Sequence, residues 1–252
     1  MGSPSIQVRS LLKFAFHAET GEARVIVFIA GMPRSGSTFS FNIVRCLLEA
    51  RGSVYQEPTE SILSALRRTG EANHLLLKSH RGDRVTLGLA KLGAIKVVCT
   101  VRKPEDSIAS WMTTFGFTLE ESLSAMNAWL RMFNAIRRCS LIVSFEDIDR
   151  DPRSAAWKIA RYVCDDADEF AVEQIAIEFT KERVKNLSAQ VEARNGDIQD
   201  LGFSFMDKKT LFHRRHVSSV DTIAAADRIS RKQVLLIRQS LAQWCDAEGN
   251  LR

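Results

Sequence analysis

Residues 25–38 read VIVFIAGMPRSGST, and the helical pattern FSFNIVRCLLEA follows at 39–50. The first six residues are apolar and mostly β-branched, as in a strand buried on both faces. The turn after them keeps the spacing G-x-x-x-x-G-K-[ST] of a nucleotide-triphosphate loop, with Gly31, Gly36 and Thr38 in register. Ser37 stands where that motif has its lysine, and Arg34 supplies a cation three residues earlier. A tight strand-to-helix turn offers unbonded N–H groups at the positive end of the helix dipole. Gly31 and Gly36 allow close backbone approach, Ser35, Ser37 and Thr38 add hydroxyls, and Arg34 adds a planar fork of charge. The stretch predicts an anion cradle at a strand end, and the missing lysine leaves open which phosphate-like ligand it takes.

Outward from this turn, three more apolar segments at 75–77, 95–101 and 141–145 are separated by helical patterns. The order β-α-β-α-β predicts an α/β fold with a doubly wound, mostly parallel sheet flanked by helices. Pro104 and Pro152 occupy first helical positions, with Asp151 as a cap. Thr118 with Glu121 forms a capping box for a helix reaching about residue 138, and Ser230 with Gln233 forms another. Residues 190–214 are polar with two glycines, and this segment is expected to be a mobile lid loop within a single domain spanning 1–252.

Composition narrows the function. The chain of 252 residues is 45% hydrophobic and 26% charged, ordinary for one globular domain. No apolar run approaches the ~20 residues of a membrane span, and the N-terminus lacks a signal-peptide core, so a cytoplasmic protein with no membrane association is expected. Cys46, Cys99, Cys139, Cys164 and Cys245 never fall in C-x-x-C spacing, which predicts thiols rather than disulfides or a zinc site. The net charge of +5 carries no basic stripe, so the excess points to a small polyanionic ligand rather than nucleic acid.

Two further groups sit at strand ends. Arg102, Lys103 and Pro104 form a second basic turn, and Ser110 lies about two helical turns beyond Arg102. Lys78, Ser79 and His80 follow the segment at 75–77, and an unperturbed imidazole titrates near ~6.5, which makes His80 a candidate general base. Glu57, in VYQEP, is the rival base and would need burial to raise its pKa.

Taken in order, P-R-S-G-S-T at 33–38, K-S-H at 78–80, R-K-P-E-D-S-I-A-S at 102–110 and F-E-D-I-D-R-D-P at 145–152 resemble the sulfotransferases that use 3'-phosphoadenosine 5'-phosphosulfate (PAPS). The similarity runs over about residues 25–165, with a fainter echo in RRHVSS at 214–219. The resemblance implies a P-loop-like fold and transfer of a sulfuryl group from PAPS to a hydroxyl or amine of a small-molecule acceptor. The product would be 3'-phosphoadenosine 5'-phosphate (PAP), and no metal would be needed. It implies that Arg34, Ser35, Gly36, Ser37 and Thr38 hold the 5'-phosphosulfate, with Arg34 where cytosolic members usually have lysine. Arg102 and Ser110 would bind the 3'-phosphate, and Arg214 and Arg215 are the nearest counterparts of the family's late R-K-G.

His80 falls on the catalytic histidine of the cytosolic members, with Lys78 beside it to steady the transferred group. Glu57 lies about where the carbohydrate and tyrosyl-protein branches place a glutamate base. Phe145 replaces a frequent tyrosine, so it serves either as an apolar base contact or as a core aromatic. A P-loop kinase for a small molecule is the alternative, but it requires the Walker lysine and an acidic magnesium ligand, and neither Ser37 nor VVCTVR supplies one. Trp111, Phe115, Phe117, Phe203 and Phe205 hint at an apolar acceptor; oligomeric state, a homodimer included, is left open.

Overall fold

The computed structural model describes residues 24–191, 197–200, 205–213 and 224–252. Strands β1 (Ile26–Ile29), β2 (Val54–Glu57), β3 (His74–Lys78), β4 (Lys96–Val101) and β5 (Leu141–Ser144) form one parallel sheet in the order β2-β3-β1-β4-β5. Helices α1 (Ser37–Glu49), α2 (Ile62–Leu66), α3 (Arg84–Lys91), α4 (Pro104–Phe115), α5 (Leu119–Ile136), α6 (Phe145–Arg150) and α7 (Pro152–Val163) connect or follow these strands. Then come α8 (Glu169–Glu178), α9 (Lys181–Ala189), the antiparallel pair β6 (Ile198–Asp200) and β7 (Phe205–Asp207), α10 (Ala225–Arg228) and α11 (Arg231–Ser240).

β1 is central, with Phe28 in register with Leu77 on one side and Val97 on the other. Val27, Ile29, Leu76, Val98 and Val143 pack in one core with α1, α7 and α8, while Phe28, Leu75, Leu77, Val97 and Cys99 pack in a second with Trp129 of α5. Covering both faces explains why these strands read as continuous apolar runs instead of alternating. The chain runs from β1 to one side and then crosses back to β4 on the other, which opens a crevice at the carboxyl ends beside β1.

The caps fall where expected. Thr118–Glu121 and Ser230–Gln233 are complete capping boxes, Pro104 and Pro152 open α4 and α7, and the Asp151 carboxylate accepts from Ser154 N–H. Two boundaries differ. β2 was not expected as a strand, because it is an edge strand whose four residues are all half-buried and end in Gln56 and Glu57. Phe145 opens a helix rather than ending a strand, because the Ser144 hydroxyl caps Asp147 N–H. Of the expected lid, the described part holds β6 and β7, and Leu211 and Phe212 beyond them are buried. All five cysteines are thiols, and no helix among the described residues is long and apolar enough to cross a membrane.

Candidate active site

The turn after β1 is fixed by contacts that only its sequence permits. A Cβ on Gly31 would lie 2.2 Å from Ser37 Cβ and 2.5 Å from Thr100 Oγ1, so a side chain there would push α1 off the sheet. Gly36, at φ 83, caps α1 in the left-handed region, and Arg34 shares that region at φ 58 without being glycine. Holding a non-glycine residue there costs on the order of 1 kcal/mol. Met32 N–H donates to Thr100 O at 2.9 Å, Ser107 Oγ donates to Pro33 O, and Ser35 Oγ sits 2.6 Å from Met32 O and 2.5 Å from Thr100 Oγ1. The Ser35 hydroxyl is therefore turned into the sheet, and its contribution to an anion is confined to the backbone.

Lys78 ends β3, and its Nζ donates to Thr38 Oγ1 at 2.8 Å. Burial, reinforced by the charge of Arg34, pushes the Lys78 ammonium down to about 8. Two residues on, His80 Nδ1 lies 2.6 Å from Gly31 O. A carbonyl oxygen only accepts, so Nδ1 carries the proton and Nε2 keeps the lone pair. Burial first and Lys78 second push His80 to about 4, well below the near-neutral value expected from its type, and the ring is uncharged at physiological pH.

Across the turn, Arg34 Nε donates to Ser110 Oγ on α4 at 3.2 Å, and its guanidinium lies 5.4 Å from the Phe115 ring. Burial, then Arg102, then Arg228 push Arg34 down to about 10, so it stays charged. Arg102, just past β4 and 6% exposed, stands 4.2 Å over the Phe145 ring and donates to Arg34 O at 3.3 Å. Burial lowers its pKa as well, with Asp106 opposing and Arg228 reinforcing that shift.

These groups line one cavity of about 390 Å³. Its basic part carries Arg34, Lys78, Arg102 and Arg228, and its apolar wall carries Phe39, Trp111, Phe115, Phe179, Leu211 and Phe212. Asp149 also lines it, 3.5 Å from Lys181 Nζ. Arg34, Ser35, Gly36, Ser37, Thr38, Lys78, His80, Arg102 and Ser110 thus meet at one place, with the Ser110 hydroxyl accepting from Arg34. Phe145 is the stacking platform of Arg102.

Glu57 is not brought to the cavity. β3 separates its strand from β1, and its carboxylate accepts from Arg68 NH2 at 2.5 Å, Arg68 Nε at 3.3 Å and Tyr55 OH at 3.1 Å. Phe117 packs on Trp111 with ring centroids 5.0 Å apart, outside the cavity wall. Arg214, Arg215 and Phe203 lie outside the described residues. Among the cavity residues outside every motif are Arg228, just ahead of the Ser230 cap, Lys181, and His213, whose ring lies 5.5 Å from Phe115. Only the folding of α10 against α4 reveals the first of them.

No protein-family model and no curated protein matches the sequence. Among solved structures, mouse sulfotransferase SULT7A1 complexed with PAP aligns at a TM-score of 0.60 and 14% identity, over 93% of this chain and 88% of that one. Retinol dehydratase with androsterone and inactive cofactor PAP aligns at 0.54 and 15% identity, over 93% and 85%. The same dehydratase with retinol and PAP aligns at 0.50 and 14% identity, over 93% and 85%. At such identities the likeness speaks to backbone architecture, and on that ground this chain carries the fold of the PAPS-dependent sulfotransferases.

Proposed function

We propose that the chain is a magnesium-independent sulfotransferase that takes a sulfuryl group from PAPS and passes it to a hydroxyl or amine of a neutral, largely apolar small molecule. The observation that carries this reading is the convergence of buried cations on a glycine turn beside a neutral imidazole whose Nε2 is available as a base. A buried cluster of like charges gathered on a glycine turn fits a small polyanion and little else.

When bound, PAPS supplies an activated sulfuryl group and a leaving phosphate that needs no proton. The backbone of residues 35–38 with the hydroxyls of Ser37 and Thr38 holds the phosphosulfate, and Arg102 with Ser110 receives the 3'-phosphate. His80 Nε2 takes the acceptor proton, and Lys78 sets its charge against the oxygens in transit. Arg34, charged at any working pH, stabilises the leaving phosphate electrostatically and donates no proton. Burial is the larger cause of the low basicity of His80 and persists on binding; an anion beside Lys78 offsets the second cause, the ammonium, and raises the basicity of His80 from its ligand-free value.

The aromatic wall excludes water and favours an apolar acceptor, in keeping with the androsterone and retinol named in neighbouring structures. The described stretch at 205–213, whose Met206, Leu211, Phe212 and His213 already line the cavity, closes over the bound nucleotide as a lid. A kinase finds no support, since Ser37 occupies the Walker position and the residue after β4 is Arg102 rather than an acid. Thermal shift decides between them. PAP raises the melting temperature in the presence of EDTA, and ATP with magnesium does not; the reverse result rejects the sulfotransferase reading.

A further inference from the structure

Arg228 reaches the cavity from an element that none of the sequence motifs covers. It ends α10, one residue before the Ile229–Ser230 entry to α11, and α10 packs on α4, the helix that carries Ser110. Its charge acts on Arg34 and on Arg102, lowering the pKa of each. Arg34 in turn lowers the pKa of Lys78. Of the cavity's five cations among the described residues, Lys181 pairs with Asp149, and hydrogen bonds and packing group the other four about Arg34. Lys78 stands on the side of Thr38 and His80, where it donates to the Thr38 hydroxyl. Arg102 and Arg228 stand on the side of Phe145 and α4.

Two cationic groups on either side of one shared arginine match a ligand with two separated anionic groups. We propose, resting on the nucleotide reading above, that Arg228 is a specificity residue for the 3'-phosphate, acting with Arg102, and that it makes the site select a 3'-phosphorylated nucleotide over one bearing only a 5'-phosphate. A second guanidinium in the same cavity as Arg102 adds donors for the dianionic phosphate, whereas a single arginine leaves more of its oxygens to water. In the ligand-free protein the paired arginines repel each other, so their juxtaposition favours the bound state over the free one.

The test is calorimetry of PAP and of adenosine 5'-phosphate, which lacks the 3'-phosphate, on the parent, Arg228→Gln and Arg228→Lys, with melting curves as a control for folding. The expected result is that Arg228→Gln weakens PAP about 10- to 100-fold and adenosine 5'-phosphate less than about threefold, with Arg228→Lys in between. Equal losses for both nucleotides, or unchanged PAP affinity in the folded variants, overturn the assignment. A parent protein that binds neither nucleotide overturns the PAPS reading itself, and this inference with it.

Discussion

Replacing Arg102 with methionine separates a binding cation from a structural one. The Arg102 stem is buried and its guanidinium covers the Phe145 ring at 4.2 Å, so Arg102→Met keeps most of the apolar contact and removes the charge. In the ligand-free protein two effects oppose each other. Lost are the cation–π contact, about 0.5–2 kcal/mol, and the long hydrogen bond to Arg34 O. Gained is relief of Arg34, whose fall from its ordinary value to about 10 amounts to about 3 kcal/mol against its ionised form. Burial is the largest cause and Arg102 the second, so the relief is at most about half of that figure. The two nearly cancel, and the melting temperature moves by no more than about 5 °C.

PAP binding has no such compensation. A lost charge-assisted contact to a buried phosphate costs about 1.5–3 kcal/mol, or about 10- to 150-fold in affinity. Differential scanning calorimetry and titration calorimetry read the two effects on the same sample. If Arg102→Met melts more than about 10 °C lower and binds PAP as the parent does, Arg102 is a structural cation and the phosphate assignment is wrong.

Other outcomes follow from the same geometry. Because Lys78 is pushed to about 8 in the ligand-free protein and a bound anion raises it, binding takes up a proton above that pH. PAP affinity measured by titration therefore falls as pH rises past about 8, and Lys78→Met abolishes the dependence; a flat profile in the parent shows that Lys78 does not meet the ligand. Glu57→Gln, away from the cavity, leaves turnover within about twofold of the parent, whereas a dead Glu57→Gln returns the base to that carboxylate. Hydrogen exchange at residues 205–213 slows when PAP is added; full protection without ligand removes the lid.

The parts of the fold that were legible are those where one local rule dominates. Strands β1, β3, β4 and β5 are covered on both faces or lie next to strands that are, and they announce themselves as apolar runs. β2 hides because an edge strand with every residue half-buried has neither a continuous nor an alternating pattern. The cradle was legible because a turn squeezed between Thr100 and α1 demands glycine at 31, while the direction of the Ser35 hydroxyl depends on Thr100, which is 65 residues away in sequence.

His80 was legible as a candidate base by residue type, but its depressed pKa was not. The pKa of His80 depends on burial and on Lys78 alongside it, and both come from packing β3 next to β1. Glu57 looked as promising as any carboxylate near a strand end until the strand order placed it one strand too far out, against Arg68. Arg228 carries no motif, and nothing short of the packing of α10 on α4 ties it to Arg102.

The central claim is tested most directly by incubating the protein with sulfur-labelled PAPS and a neutral phenolic or steroid alcohol in the presence of EDTA, for the parent and for His80→Ala. The account predicts labelled sulfate ester from the parent without any divalent metal. It also predicts turnover reduced about 10²- to 10⁴-fold in His80→Ala, a variant that still binds PAP as the parent does. Full turnover in His80→Ala, or a parent that binds PAP yet transfers no label to hydroxyl or amine acceptors, contradicts it.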